Sequence, residues 1–142
     1  MAEPAGTEPI DDAELIYRRI PVSMGWYANG QLSPEAFDPR PDETTGISVY
    51  RGKYKSIEEA AKGKSKKGYF VAVFRVCDLQ NRGIEVVPRP IHPEDPESPE
   101  YDPGHAEIPA LTAQSRGSTP AEEAKLSMAT LAIEVKGPFI PT

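Results

Sequence analysis

Residues 69–76 read Tyr69-Phe70-Val71-Ala72-Val73-Phe74-Arg75-Val76, the most hydrophobic stretch of the chain. Both alternating faces of this run are apolar, which predicts a strand covered on both sides and placed inside a sheet. Upstream, Glu14-Leu15-Ile16-Tyr17-Arg18-Arg19-Ile20 is β-branched and aromatic and stops at Pro21. Alternation places Leu15, Tyr17 and Arg19 on one face and Ile16, Arg18 and Ile20 on the other, again an interior strand. Gly46-Ile47-Ser48-Val49-Tyr50-Arg51 is a third strand, and Ile84–Val87, His105–Ile108 and Ala132–Val135 follow downstream. The expected class is α+β: a mixed, mostly antiparallel sheet of about five strands. One main C-terminal helix, 120–129, packs on one face, and long proline-rich loops lie outside.

The connections carry local signals. Asn29-Gly30 is a hairpin turn, and Ser33-Pro34-Glu35-Ala36-Phe37 a one-turn helix with Ser at the cap and Pro at the first position. Ser56 and Glu59 form a capping box for a short helix that Gly63 ends, and Thr119-Pro120-Ala121-Glu122 opens the C-terminal helix. Residues 1–12 have the small, acidic, proline-bearing composition of a disordered tail, leaving 13–142 as a single domain. Residues 88–105 hold six prolines and five acids against one arginine, the composition of an extended, mobile acidic loop.

Composition narrows function. Sixteen basic against 22 acidic residues give a net charge of −6, which repels phosphate backbones, so nucleic acid is not the expected partner. Cys77 is the only cysteine, which excludes an internal disulfide and suits a reducing cytoplasm. Met1 leads into acids and prolines with no apolar run near 18 residues, so neither secretion nor a membrane span is expected. P-loop, GxGxxG, GxSxG, HExxH and EF-hand signatures are all missing.

Three constellations remain. Seven of the 16 basic residues fall between Arg51 and Lys67: Arg51, Lys53, Lys55, Lys62, Lys64, Lys66 and Lys67. Such a block suits an anionic ligand, a partner's acidic surface or the chain's own acidic loop, and equally a solvated face. Arg18 and Arg19 put an arginine on each face of the first strand, and one on a covered face needs a carboxylate or an anionic ligand, the internal candidates being Glu107 and Glu134. His105 and Glu107 share a strand face as an acid/base or structural pair. A metal site drawn from His92, His105 and nearby acids lacks the fixed geometry that ligands need, so no metal is assigned, and Cys77 is read as core packing.

The order Leu15-Ile16-Tyr17-Arg18, Gly46-Ile47-Ser48-Val49-Tyr50, Ser56-Ile57-Glu58-Glu59-Ala60, Val71-Ala72-Val73-Phe74 resembles the start of RES-domain proteins. Those are bacterial toxins with an ADP-ribosyltransferase-like fold that consume NAD. The resemblance implies a bacterial origin, NAD as cofactor, and Arg18 and Tyr50 in its pocket. The family's Gly-Arg-Trp-Asn-type segment has no counterpart between Leu32 and Gly46.

Two functions of different class follow. The first is a non-catalytic adaptor or accessory module without cofactor, whose partner is another protein met through Arg51–Lys67. The second is a RES-like NAD-consuming or ADP-ribosyl-transferring enzyme with Arg18 on a phosphate, Tyr50 on nicotinamide or ribose, and Glu107 stabilising the cationic ribose.

Overall fold

The computed structural model describes residues 4–95 and 97–141. The main strands are β1 (Leu15–Pro21), β4 (Ile47–Arg51), β5 (Tyr69–Arg75), β6 (Val87–Pro88), β7 (His105–Ile108) and β8 (Glu134–Phe139), with β2 (Tyr27–Ala28) and β3 (Gln31–Leu32) in a separate hairpin. The six strands lie in the order β6-β7-β4-β1-β5-β8, and every pairing between neighbours is antiparallel. Helices are α1 (Ile57–Ala60), α2 (Val76–Gln80) and α3 (Thr119–Leu131), with 3-10 turns at Val22–Met24, Pro34–Phe37 and Ala113–Ser115. The α+β class and the interior placement of 15–21 and 69–75 agree with the sequence reading. No helix among the described residues is long and apolar enough to cross a membrane.

The two faces of β1 seed two cores. Ile16 and Ile20 are fully buried with Val49, Ala72, Phe74 and Ile108, beneath Phe37 and the α3 residues Ala121, Ala124 and Met128. Each large side chain buried here is worth about 1.5–3 kcal/mol. The opposite face is smaller: Tyr17, Tyr69, Val71 and Val73 pack with Ala60 and Ala61 at the end of α1.

Local chemistry set the expected caps in place. Ser56 and Glu59 make the reciprocal capping box, and Asn29 and Gly30 both adopt positive φ in the β2–β3 turn. For α3 the cap is Ser118 rather than Thr119, its hydroxyl accepting the Ala121 N–H. The strand expected at 84–87 shrinks to Val87–Pro88, since Ile84 and Val86 turn into the main core, and the last strand begins later and runs through Gly137 and Pro138.

The largest departure is at Arg51, expected on an exposed basic face and instead fully buried. Its Nε and Nη2 each donate to the Glu14 carboxylate at 2.9 Å, and Nη1 donates to the carbonyls of Gly6 and Glu8. A buried guanidinium needs acceptors around its whole fork, and the N-terminal segment supplies them. Residues 4–12, expected as a disordered tail, accordingly lie against the end of β4 and the residues just after it: Gly6 donates its N–H to the Tyr54 hydroxyl, and Glu8 takes bonds from Lys53 and Tyr54. The acidic loop is also tied at its base, where Ile91 and Asp102 exchange backbone hydrogen bonds and His92 contacts the Ala5 carbonyl.

Candidate functional site

The sheet opens between β1 and β4. Their ladder holds only Ile16↔Arg51 and Tyr17↔Tyr50, whereas β1 and β5 stay paired from Leu15 to Pro21. Past Tyr50, side chains take over the backbone groups of Ser48. Its N–H donates to Glu43 Oε2 at 2.9 Å, and its carbonyl accepts from Arg18 Nη1 at 2.9 Å. Glu43 is 6 % exposed, its second oxygen accepts the Arg40 N–H, and it lies 3.9 Å from Arg18 Nη1. Both backbone groups of Ser48 and both oxygens of Glu43 therefore find partners, which lets the strands diverge there without orphaned amides.

The split widens into a cavity of about 360 Å³ lined by Arg18, Arg19, Arg40, Ser48, Tyr50 and Tyr69, with Met24, Trp26 and Asp38 at its wall. Asp38 is held by Lys125 at 2.6 Å, Glu43 lies beside Arg18 and Arg40, and Asp42 beside Arg40, so Arg19 is the lining cation without an acid partner among the described residues. Arg18 spends Nε on the Ala36 carbonyl and Nη1 on Ser48. Its Nη2 donates to none of the described residues, and no buried side-chain nitrogen or oxygen among them lacks a partner, so Nη2 faces the open cavity. Burial pushes the Arg18 guanidinium below its ordinary range and Glu43 draws it back, but arginine remains charged at any physiological pH.

Arg19 is held on the opposite face of β1. Its Nη1 donates to the Lys62 carbonyl, and its guanidinium lies 4.9 Å from the Tyr69 ring and 5.5 Å from the Tyr50 ring. Such stacking is worth about 0.5–2 kcal/mol per ring and fixes the guanidinium plane. Tyr50 also carries Lys55 Nζ at 4.6 Å. What remains free on Tyr50 is its hydroxyl, which has no hydrogen-bond partner among the described residues.

Of the residues chosen from sequence, Arg18 and Tyr50 line one cavity. Arg18 is paired by Glu43, a loop acid, and not by Glu107 or Glu134, because β1 sits next to the 43–48 turn. Glu107 lies on β7 opposite Ser48, accepts from the Thr45 hydroxyl at 2.7 Å and lies 3.5 Å from Arg89, outside the cavity lining. His105 does not pair with Glu107: its Nδ1 meets the Arg89 carbonyl and its Nε2 meets Ser48 Oγ, both at 2.9 Å.

The basic block divides. Arg51 is buried, Lys53 pairs with Glu8, and Lys55 pairs with Asp102 of the acidic loop at 3.1 Å. Lys62 borders a second cavity of about 310 Å³ with Tyr69 and Phe139, while Lys64, Lys66 and Lys67 are exposed and make no ion pair among the described residues. Arg19, singled out with Arg18, also lines the cavity, whereas sequence reading missed Trp26, Ser48 and Tyr69 as site residues. Ser48 stands two places before Tyr50, a strand spacing that points to one strand end rather than to chemistry.

No family model, curated protein or solved structure matches the chain.

Proposed function

We propose that the cleft between β1 and β4 binds an anionic ligand carrying a flat ring, of the nucleotide class, with NAD as its candidate substrate. The observation that carries this reading is the meeting of Arg18 and Tyr50 in one arginine-lined cavity. Its volume, about 360 Å³, falls at the small end of ligand sites. Arg18 Nη2 and the stacked Arg19 guanidinium present donors for phosphate oxygens. Trp26, whose indole N–H makes no hydrogen bond among the described residues, offers a ring face at the wall.

In an NAD-consuming reaction the bond from ribose C1′ to the nicotinamide nitrogen breaks, its electrons stay on the ring, and a carboxylate stabilises the cationic ribose. Glu107 supplies that charge only if its contacts to Thr45 and Arg89 give way. Binding therefore has more direct geometric support than turnover. The deciding experiment incubates the full chain with NAD and follows nicotinamide release, with calorimetric titration of NAD in parallel, for the parent, Arg18→Ala, Arg19→Ala and Glu107→Gln. Saturable binding weakened at least tenfold by either arginine change supports the site. No binding and no release sinks it.

A second reading, an adaptor for an acidic protein surface, keeps the support of Lys62, Lys64, Lys66 and Lys67, which stay exposed beside the second cavity.

A further inference from the structure

We propose that Ser48 is a nucleophile, with His105 as its general base, toward the phosphorus centre of a phosphate ester held in the β1/β4 cleft. Ser48 is fixed at three points: its N–H on Glu43, its carbonyl on Arg18 Nη1 and its hydroxyl on His105 Nε2. Its side chain stands on the cavity wall. A nucleophile needs this fixity, because misplacement by an ångström costs orders of magnitude in rate.

The tautomer of His105 follows from its partners. Nδ1 faces the Arg89 carbonyl, which only accepts, so in the neutral ring Nδ1 carries the proton. Nε2 is then a bare lone pair, and the 2.9 Å contact is donation from the Ser48 hydroxyl to it. The Tyr50 ring meets the imidazole edge to face, with centroids 6.2 Å apart, and holds it in plane. Nucleophile, base and orienting acceptor thus form a connected set, the backbone carbonyl of Arg89 standing where other hydrolases use a carboxylate.

The choice of phosphorus as the electrophile comes from the guanidiniums. Arg18 is bonded to the Ser48 carbonyl through Nη1, and its Nη2, which donates to none of the described residues, is left for a ligand in the cavity. Arg19 adds a second cation. Arginine clamps stabilise the oxygens of a transferring phosphoryl group. In the step, Ser48 Oγ bonds to phosphorus and the hydroxyl proton moves to His105 Nε2. The bond to the leaving oxygen breaks in line, opposite Ser48 Oγ, with its electron pair; that oxygen takes a proton from solvent, and His105 keeps the one it received until solvent removes it.

The inference goes beyond the NAD reading, since it stands on Ser48 and His105 whatever nucleotide the cleft takes. Nicotinamide release can fail while Ser48 reacts, and the reverse. The test treats the full chain with a fluorophosphonate, whose phosphorus accepts Oγ while fluoride leaves. The expected result is a single label that peptide mapping places on Ser48, absent in Ser48→Ala and slowed by AMP in the cleft. Labelling should be at least about 100-fold slower in His105→Gln, which keeps polarity but not a base. Thermal melts of both variants establish that they fold, and His105→Asn takes the place of His105→Gln, or Ser48→Gly that of Ser48→Ala, should either melt early. No labelling of the parent, labelling that survives Ser48→Ala, labelling unaffected by AMP, or an unchanged rate in a folded His105 variant overturns the proposal.

Discussion

Arg18 Nη1 donates to the carbonyl of Ser48 at 2.9 Å, a side chain standing where a neighbouring strand would otherwise pair. That bond and the Glu43 carboxylate on the Ser48 N–H close the edge of the split and leave one guanidinium nitrogen for a ligand. Arg18→Lys keeps the charge but cannot span Ala36, Ser48 and the cavity together. It should destabilise the chain by about 1–3 kcal/mol, from buried carbonyls left without a donor. Urea unfolding with an unchanged m-value and a lowered midpoint checks this, and a wild-type midpoint would mean that the split holds without Arg18.

Arg51 is the second cation that the fold encloses. Its side chain is 0 % exposed and that of its main partner Glu14 is 8 % exposed, so Arg51→Ala strands a buried carboxylate. Removing one member of such a pair costs about 3–5 kcal/mol. The double change Arg51→Met with Glu14→Leu removes both charges and should lose much less. Chemical denaturation of the two variants separates an ion-pair penalty from simple loss of packing, for which the double variant would be no better than the single one.

Docking of the N-terminal segment is pH-dependent through Glu8. Hydrogen bonds from Tyr54 and Lys53 hold its carboxyl well below the usual carboxylate range, at about 2 against 4.5. A depressed folded-state value means a contribution fully present above about 4.5 and lost as pH falls toward 2. Lys53 is shifted up by its hydrogen bond to Glu8, so its share persists at neutral pH and fades only as pH rises past the ordinary lysine range. Amide exchange of Gly6, whose N–H donates to Tyr54, should be protected at neutral pH and lose protection between pH 4.5 and 2 relative to a core amide such as Val73. In Glu8→Gln that acid-dependent step should vanish.

The sheet was legible because its strands announce themselves by alternation and by a two-sided apolar run, which are local properties of 15–21 and 69–75. The class and the capped short helices followed from the same local signals. The pairing of Glu43 with Arg18 and of Glu8 with Arg51 was not legible. Glu43 lies in a polar turn and Glu8 in an acidic N-terminal stretch, and nothing in either neighbourhood distinguishes them from solvated acids until the sheet brings them beside a buried guanidinium. The cavity was half legible for a related reason. Arg18 and Tyr50 were visible on their strands, but the ladder that stops at Tyr17↔Tyr50 is a non-local outcome. The same holds for Tyr69, read as core, which turns out to carry Arg19 on its ring.

The lysine segment tests the adaptor reading with little risk to the fold. Lys62, Lys64, Lys66 and Lys67 are exposed, and reversing all four to Glu should change stability by no more than about 0.5 kcal/mol per site. If the chain meets an acidic protein surface there, the fourfold variant should lose capture of that partner in a pull-down from its native lysate, and added salt should weaken the parent's capture. Capture indifferent to the reversal would exclude this face as the interface.

Gly63 gives the sharpest test of how the cleft is built. A Cβ added there would stand 2.6 Å from Cε2, Cζ and Oη of Tyr69, too close for any real contact. Tyr69 cannot swing away freely, because its hydroxyl accepts the Ser65 N–H at 3.0 Å and its ring underlies Arg19 at 4.9 Å. Gly63→Ala must therefore displace the ring or the 62–65 turn, at a cost of about 1–3 kcal/mol for overpacking. Either movement frees Arg19 from the ring and from the Lys62 carbonyl, so the cation is no longer fixed at the cavity wall. Affinity for a nucleotide probe such as AMP should then fall about tenfold, the equivalent of losing a contact worth about 1.4 kcal/mol. A second variant, Tyr69→Phe, removes only the hydroxyl bond and leaves the ring in place, so it should bind AMP nearly as the parent does. Calorimetric titration of both distinguishes the outcomes: equal affinity in Gly63→Ala and parent would show that stacking on Tyr69 does not position Arg19 for the ligand.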